Sequence, residues 1–399
     1  MSTLKVDAIR HNSATSDAIT TASDGTCTAK LTSIGGGGLS HRNIIINGAM
    51  SVAQRATTST TSGYASIDRW NLSYGGTDEA ITQSKINVAP TEAGAGTAGF
   101  RNAFRIQNGN QTSGFGNTDY FQFQQMIEDQ NIANSGWIVN DPNSFITVSY
   151  WIRSSVAQQF FGFVETYDGA DWMYGWSTGV LTANVWTKIT KTVPGRSNLS
   201  WSNDTGAGLL VAPVTLWGTN YTDSSVPNDA WHQYFSSSRT PDATSTWWTT
   251  NDATVDITGV QVEVGDTATS FEHRSYGEEL TRCKRYYQTV PNNLFLIRGS
   301  DSISYSNAPL QSAFLLPESM RANPTGSNYT DGGSLITVTY YNASYGSATN
   351  YEANITNNIH NGTVRFHLGH NQANNSSTSL STSYKWGQSV DPIEFSAEL

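Results

Sequence analysis

Twelve tryptophans are the side chains of this sequence best equipped to recognise a ligand. An indole offers a flat apolar face, which stacks on the apolar face of a sugar ring, and one N–H donor at its rim. Asn, Asp and Gln nearby can then bind the hydroxyls. Trp172, Trp176, Trp201, Trp217 and the pair Trp247-Trp248 stand among Gly, Ser and Asp. Trp151 falls on the polar side of an alternating strand. Trp151, Trp172, Trp176, Trp201, Trp247 and Trp248 are therefore the candidate glycan-stacking residues. The competing reading places each of them in a core or a subunit interface, where Trp is also enriched.

Catalysis finds less support. Hydrolysis of a glycosidic bond needs two carboxylates roughly 5–9.5 Å apart in a cleft. Glu165, Asp168, Asp171 and Glu263 are available, but no spacing singles out a pair, so no catalytic residue is assigned and no enzymatic activity is expected. His367-Leu-Gly-His370 is a poor metal site within one strand, because i and i+3 point to opposite faces. A structural Ca²⁺ held by loop Asp side chains and backbone carbonyls is the one cofactor the composition would accommodate, though no motif marks it. No other cofactor and no catalytic metal are expected. Cys27 and Cys283 are far apart and read as free thiols.

The elements that must position these residues are strands. Charged residues make up 14% of the chain, against roughly 25% in ordinary soluble proteins. Ser, Thr, Asn and Gly replace them. Val, Ile, Thr, Tyr and Trp outnumber the strong helix formers, which biases the chain toward sheet. The net charge of −10 repels phosphate backbones and argues against nucleic acid as a partner. Nothing resembles a membrane-spanning run of about 18 apolar residues. The start, Met1-Ser-Thr-Leu-Lys5, lacks an apolar signal core, so synthesis in the cytoplasm is expected.

Along the chain, residues 1–40 form a polar arm ending in Gly35-Gly-Gly-Gly38, a flexible hinge. Leu4-Lys-Val6 and Ala18-Ile-Thr-Thr21 read as short strands that pair with other copies or with a partner. Residues 41–275 read as one β-rich domain. Ile146, Val148, Tyr150 and Ile152 alternate with Thr147, Ser149 and Trp151, giving one buried and one wet face. Phe160–Tyr167 is the expected partner strand, turned at Asp168-Gly169, and Val185–Val193 is another strand. Val255 and Ile257 fall on opposite parity to Val260, Val262 and Val264, which a bulge at Gly259 would reconcile. Ser275-Tyr-Gly-Glu278 fits a helix-capping box, and a linking helix is expected over 276–290. Residues 291–399 read as a second β-rich unit, with strands at 294–297, 313–316, 335–341, 364–368 and 393–395.

Several of these segments are familiar. Asn43-Ile-Ile-Ile-Asn-Gly-Ala-Met-Ser-Val-Ala-Gln-Arg55 with Gly63-Tyr-Ala-Ser-Ile-Asp-Arg-Trp70 resembles a block in tail-fibre proteins of phages, many from marine and cyanobacterial hosts. Val260 through Tyr287 resembles a second, longer block of the same proteins; Leu316-Pro-Glu-Ser-Met-Arg-Ala-Asn-Pro324 and Ser396-Ala-Glu-Leu399 resemble a third and a fourth. Between the first two, Ser149-Tyr-Trp-Ile-Arg153, Trp186-Thr-Lys-Ile189 and the strand before Val262-Glu-Val264 are similar to jelly-roll carbohydrate-binding modules. The resemblance implies an all-β chain: an N-terminal attachment arm, a jelly-roll sandwich, one linking helix and a C-terminal β-rich tip, assembled as a homotrimer. It implies a virion protein, made in the host cytoplasm, that docks on other tail or capsid proteins through residues 1–40. Its distal surface would bind host cell-surface polysaccharide. In such a trimer an inward His367 or His370 from each chain could meet on the axis. A purely structural head or tail appendage and a tailspike depolymerase are the alternatives. Asp68, Arg69 and Trp70 are expected as a buried Asp–Arg pair locking a loop under the indole. Glu272, His273 and Arg274, with Arg282 and Arg285, are expected as an interdomain polar network.

Overall fold

The computed structural model describes residues 6–10, 19–21, 23, 27–29, 42–290, 295–298, 310–315, 318–322, 325–327, 336–339, 350–351, 359–360, 363–368, 384–389 and 393–399. In the arm, β1 (Ala8–Ile9), β2 (Ile19–Thr21) and β3 (Cys27–Ala29) form an antiparallel sheet in that order. The Thr21 hydroxyl also donates to the Val6 and Asp7 carbonyls at 2.9 and 3.0 Å. Of the expected strand at Ala18–Thr21, Ile19–Thr21 is present as β2 and Ala18 lies outside the described residues. Its pairing is within the chain, which satisfies backbone groups the sequence reading had assigned to a partner. Val6 is not in a strand, and Leu4 and Lys5 lie outside the described residues.

Two six-stranded antiparallel sheets make the body, a jelly-roll β-sandwich. Its strands are β4 (Thr58–Ser59), β5 (Asn71–Gly75), β6 (Thr82–Asn87), β7 (Asn102–Gln107), β8 (Tyr120–Glu128), β9 (Phe145–Ser154), β10 (Gln159–Thr166), β11 (Trp172–Val180), β12 (Thr187–Pro194), β13 (Ala207–Trp217), β14 (Ala230–Gln233) and β15 (Thr254–Val264). One sheet runs β14-β11-β10-β13-β8-β5 and the other β12-β9-β15-β7-β6-β4. The inner faces follow the alternation in the sequence. Ile146, Val148, Tyr150 and Ile152 from β9 meet Phe121 and Phe123 of β8, Val211 and Leu216 of β13, and Trp176 of β11, all fully buried in one cluster. Burying each such side chain contributes about 1.5–3 kcal/mol.

Three details of register matter for function. First, β15 slips against β9 between Thr258 and Gln261. Gly259 sits there at φ +64°, and a Cβ on it would lie 2.4 Å from the Phe100 ring. This is the bulge that the parity of the valines requires. It returns Val260 and Val262 to the core beside Val255 and Ile257, while Val264 emerges at 41% exposure. Second, β10 pairs with β11 and β13, not with β9, whose neighbours are β12 and β15. The two strands face each other across the core, which a pattern of alternation cannot distinguish from lying side by side. Third, the second face of β9 is not wet. Thr147 and Ser149 are buried, and Trp151 packs with Val88, Ala95, Phe100, Ala103 and Trp186 under the 88–101 segment.

Short helices α1 (Asp129–Ala133) and α2 (Thr246–Thr249) lie at strand ends, and α3 (Tyr276–Lys284) follows the sandwich. Ser275 caps α3, its hydroxyl accepting from the Glu278 amide at 3.3 Å. The helix is shorter than the expected 276–290, since the chain is back in a strand, β16 (Tyr287–Val290), three residues after Lys284. Cys283 is a free thiol at 0% exposure, and burial holds its pKa well above the ordinary range. Beyond lie β17 (Phe295–Arg298), β18 (Leu310–Leu315), β19 (Thr325–Ser327), β20 (Ile336–Thr339), β21 (Asn350–Tyr351), β22 (Ile359–His360), β23 (Thr363–Leu368), β24 (Tyr384–Ser389) and β25 (Ile393–Ser396). They form three small sheets, β16-β25-β19, β17-β24-β20-β21 and β18-β23-β22. Among the described residues no helix is long and apolar enough to cross a membrane.

Candidate functional site

The candidate indoles separate by burial. Trp176, Trp247 and Trp248 are 0, 0 and 1% exposed, which corrects their assignment as glycan platforms: no ring face is left for a sugar. Trp176 points inward from β11 and donates to the Tyr150 hydroxyl at 3.0 Å. Trp247 and Trp248 plug the sandwich through α2, their carbonyls accepting from Asn108 at 2.6 and 3.1 Å. Gly, Ser and Asp around them mark the turns that enter and leave this plug, not exposure. Trp217 is 5% exposed and stacked on Tyr120 at 4.7 Å. Trp151, Trp172 and Trp201 are only partly buried.

Trp172 and Trp201 lie near the turn joining β10 to β11. The Arg196 guanidinium covers Trp172 at 3.6 Å, and Trp201 leans on Trp137 with ring centroids 5.9 Å apart. Both indole N–H groups are buried without a partner. Tyr167, at the end of β10, is 41% exposed, and Phe235, just past β14, is 55% exposed. Glu165 stands on the outer face of β10, opposite Leu210 on one side and Met173 on the other. Burial pushes its pKa up to about 7; Arg239 pulls it down and Asp171 pushes it further up. The same groups surround Tyr167 and Tyr234. The exposed Tyr167 ring and the half-buried Tyr234 ring beside a desolvated carboxyl, a second carboxylate and a guanidinium can stack on a sugar and bind its hydroxyls.

The four carboxylates flagged in the sequence fall in three places. Glu165 and Asp171 share this site. Asp168 turns away to accept from the Ser202 amide and hydroxyl at 3.1 and 2.9 Å. Glu263 holds Thr269 and Gln261 and lies 3.6 Å from Arg42. Sequence reasoning missed Tyr167, Tyr234, Phe235 and Arg239; the cluster Trp231-His-Gln-Tyr-Phe235 was the available signal. His370 lies outside the described residues, as does the side chain of His367. Among the described residues no group of three or more His, Cys, Asp or Glu is placed to hold a metal ion.

Glu165 makes a pH-dependent cost. Its folded pKa lies above its free value, so the folded state favours the protonated acid. The penalty grows as pH rises from about 4.5 to about 7 and is complete above that. Glu165→Gln removes it. The expected result is a gain of about 1–3 kcal/mol at pH 8 and almost none at pH 4, read by urea unfolding at the two pH values. An equal effect at both would show that burial is not acting on this carboxyl.

A second constellation is buried. Asp68 and Arg69 do not pair with each other, which corrects the expected ion pair. Arg69 adopts φ +71°, turning consecutive side chains apart. Asp68 accepts from the Gln54 amide at 2.8 Å, and burial raises its pKa. Arg69 is 1% exposed and pairs with Glu398, also buried, at the other end of the chain. It stacks at 3.4 Å on Tyr286 and donates to the Met126 carbonyl. Trp70 stacks on Phe123 at 4.5 Å and donates to the Asn47 carbonyl. Glu272 accepts from the Asn43 amide at 2.6 Å, and Arg274 donates to the Ile45 carbonyl at 2.9 Å while lying 3.5 Å from Glu279. His273 is set apart, against Phe100 and Phe271. Arg282 pairs with Glu278 on the helix surface at 3.1 Å. Arg285 grips Glu128, which is fully buried, with two bonds of 2.7 Å. Arg321 donates to the Ala397 and Glu398 carbonyls, and the Tyr64 hydroxyl to that of Leu399.

No protein-family model matches this sequence, and no curated protein does. Solved structures give distant likenesses. The enzymatically active domain of tailspike protein 4 from bacteriophage CBA120 shares 13% identity at a TM-score of 0.30, over 56% of this chain and 21% of that one. A cyclase from Fischerella sp. shares 12% at 0.32, over 57% and 98%. A family 11 carbohydrate-binding module from Clostridium thermocellum, in complex with a mixed-linked tetrasaccharide, shares 12% at 0.23, over 51% and 91%.

Proposed function

We propose that this chain is a non-enzymatic appendage of a phage particle, a tail fibre or receptor-binding protein assembled from three copies. Residues 1–40 attach it to tail or capsid proteins, and the sandwich binds host cell-surface polysaccharide. One observation supports this reading above the others: the four sequence blocks resembling phage fibres converge on one buried joint. Asn47, Asp68 and Arg69 come from the first, Glu279, Arg285 and Tyr286 from the second, Arg321 from the third and Glu398 from the fourth. In this chain those blocks build a coupling between the sandwich and the returning C-terminal strand. An appendage that transmits attachment to a particle needs such a coupling, and the outer surface is left to vary with the host. The recognition site is the β10–β11 end, with the exposed rings of Tyr167 and Phe235 as stacking groups; Trp172 and Trp201 pack on the core at that end, and Trp151 lies under the 88–101 segment. Many weak sites per particle give avidity.

The test uses the full chain. Light scattering should give a trimer, and an array of bacterial surface polysaccharides should show binding that falls about tenfold or more in Tyr167→Ala and Phe235→Ala, equivalent to about 1.4 kcal/mol or more. An intact trimer that binds no glycan would make the chain a purely structural appendage. Glu165 favours a second reading. A carboxyl poised near pH 7 with another carboxylate nearby is the arrangement of a general acid. Release of reducing ends from the bound polysaccharide, abolished by Glu165→Gln, would make the chain a depolymerase.

A further inference from the structure

A cleft between the sandwich and α3 has no part in the sites described above. Its volume is about 660 Å³, within the range of small-ligand sites. Four pieces of chain wall it: the 42–46 segment, α1 with its exit turn, the end of β15, and α3. Arg42 and Arg282 both line it, together with Gln130, Asn131 and Asn134. None of the described residues that line it is Asp or Glu, although the chain carries a net charge of −10. A concave wall with charge of one sign focuses the field and draws in the opposite sign.

The charged groups are held in place. Arg42 donates to the Ser270 carbonyl at 3.0 Å and lies 3.6 Å from Glu263. Arg282 pairs with Glu278, one turn back on the exposed side of α3, at 3.1 Å. A surface pair of this kind holds weakly, and a guanidinium has five N–H donors. An incoming anion can therefore share Arg282 without breaking a buried bond. The carboxamides are set for a different group. Gln130 Nε2 donates to Glu128 at 2.7 Å. Asn134 Nδ2 donates to the Gln130 carbonyl at 2.7 Å and to Asn203 Oδ1 at 3.0 Å. With both nitrogens tied back, the two carboxamide oxygens remain as acceptors for hydroxyls. Ile44, Ile46 and Val264 add an aliphatic surface, which suits the C–H groups of a ring.

We propose that this cleft binds an acidic saccharide: a hydroxylated ring that carries a carboxylate or a phosphate. The anion takes charge-assisted bonds from Arg282 and Arg42, the hydroxyls donate to Gln130 and Asn134, and Asn131 supplies a further carboxamide. A neutral sugar would leave the guanidiniums unused, and an acidic peptide would leave the acceptor oxygens unused. The inference deepens the polysaccharide reading by naming an acidic class and a second place for it, and it rests on that reading for the natural ligand.

The test is isothermal titration of the full chain with trigalacturonate, glucose 6-phosphate, neutral maltotriose and a hexaglutamate peptide. At least one of the two acidic sugars should bind at one site per chain, more weakly as salt is raised; which of them binds tells carboxylate from phosphate. Arg282→Ala should lower that affinity about tenfold or more. Arg282→Lys, which keeps the charge and loses the fork, should lower it less. Asn131→Asp, which puts a carboxylate into the cleft, should lower it as much as Arg282→Ala. Lys284→Ala removes a positive charge from the same helix outside the cleft and should bind as the wild type does. Thermal unfolding of each variant checks that the fold is kept. Several results overturn the proposal: neither acidic sugar binds, maltotriose binds as well as trigalacturonate, or Lys284→Ala loses as much as Arg282→Ala. Tighter binding of hexaglutamate would also overturn it and make the cleft a seat for an acidic protein segment. The two readings fail separately. A cleft that takes no acidic sugar leaves polysaccharide binding through Tyr167 and Phe235 untouched. Acidic-sugar binding lost in Arg282→Ala, with no polysaccharide bound on the array, would sink the function reading alone.

Discussion

Glu398→Ala should cost about 3–5 kcal/mol of stability. Here the side chain of Glu398 is 7% exposed and faces Arg69 at 1% and Arg55 at 12%. Burial opposes the charge on Arg69, yet Glu398, Tyr286 and Tyr64 hold its pKa above the ordinary value. Removing the carboxylate strands a guanidinium that has the Met126 carbonyl and the Tyr286 ring but no anion. Breaking one partner of a buried pair typically costs that much, while replacing both by apolar groups can be nearly neutral. Glu398→Gln should therefore lose less, and the double change Arg69→Met with Glu398→Leu should recover part of the loss. Urea unfolding of the full chain measures all of these. A loss under 1 kcal/mol for Glu398→Ala would mean that β25 is not held in the joint through this pair, and the coupling on which the proposed function leans would go with it.

The joint also shows what a sequence can and cannot disclose. Local rules were legible. The hydroxyl of Ser275 caps α3, the alternation over 146–152 marks an inner face, and the parity change at Gly259 is a bulge, because each depends on residues a few positions apart. The neighbour of Arg69 was not legible, since Glu398 lies 329 residues away and nothing in Asp68-Arg69 indicates that φ at Arg69 turns the two side chains apart. Indole exposure failed for a related reason. Gly, Ser and Asp around Trp247-Trp248 report a turn, and a turn can lead inward as well as outward. The outer face of β9 read as wet because its own residues are polar; the covering layer is drawn from the 88–101 segment, which alternation within one strand cannot announce. Glu165 was identifiable as a carboxylate but not as a desolvated one, because burial on the outer face of β10 is created by residues from β11, β13 and the loop carrying Arg239.

Asn47→Asp isolates the hub of the joint with a change of almost no volume, and it should be as damaging as the loss of Glu398. Asn47 is fully buried. Its amide nitrogen donates to the Val52 and Asp68 carbonyls at 2.9 Å each, and its amide oxygen accepts from the Ser51 and Val52 amides at 2.9 and 3.0 Å. It sits at φ +58°, a conformation that Asn and Asp both tolerate and Ala does not, so alanine would add strain and confuse the comparison. Aspartate keeps the acceptor and reverses the donor: a carboxylate would face two carbonyl oxygens with no water. At pH 8 the expected loss is about 3–5 kcal/mol. The introduced carboxyl must have a raised folded pKa, so its penalty is incurred as pH rises through the free value near 4 and shrinks again on acidification. The difference in unfolding midpoint between the variant and wild type should therefore be small near pH 4 and large at pH 8. A constant difference would place the defect in lost packing; a negligible one would show that the two carbonyls have other donors and that the Asn47 side chain is not what holds the 47–68 block in shape.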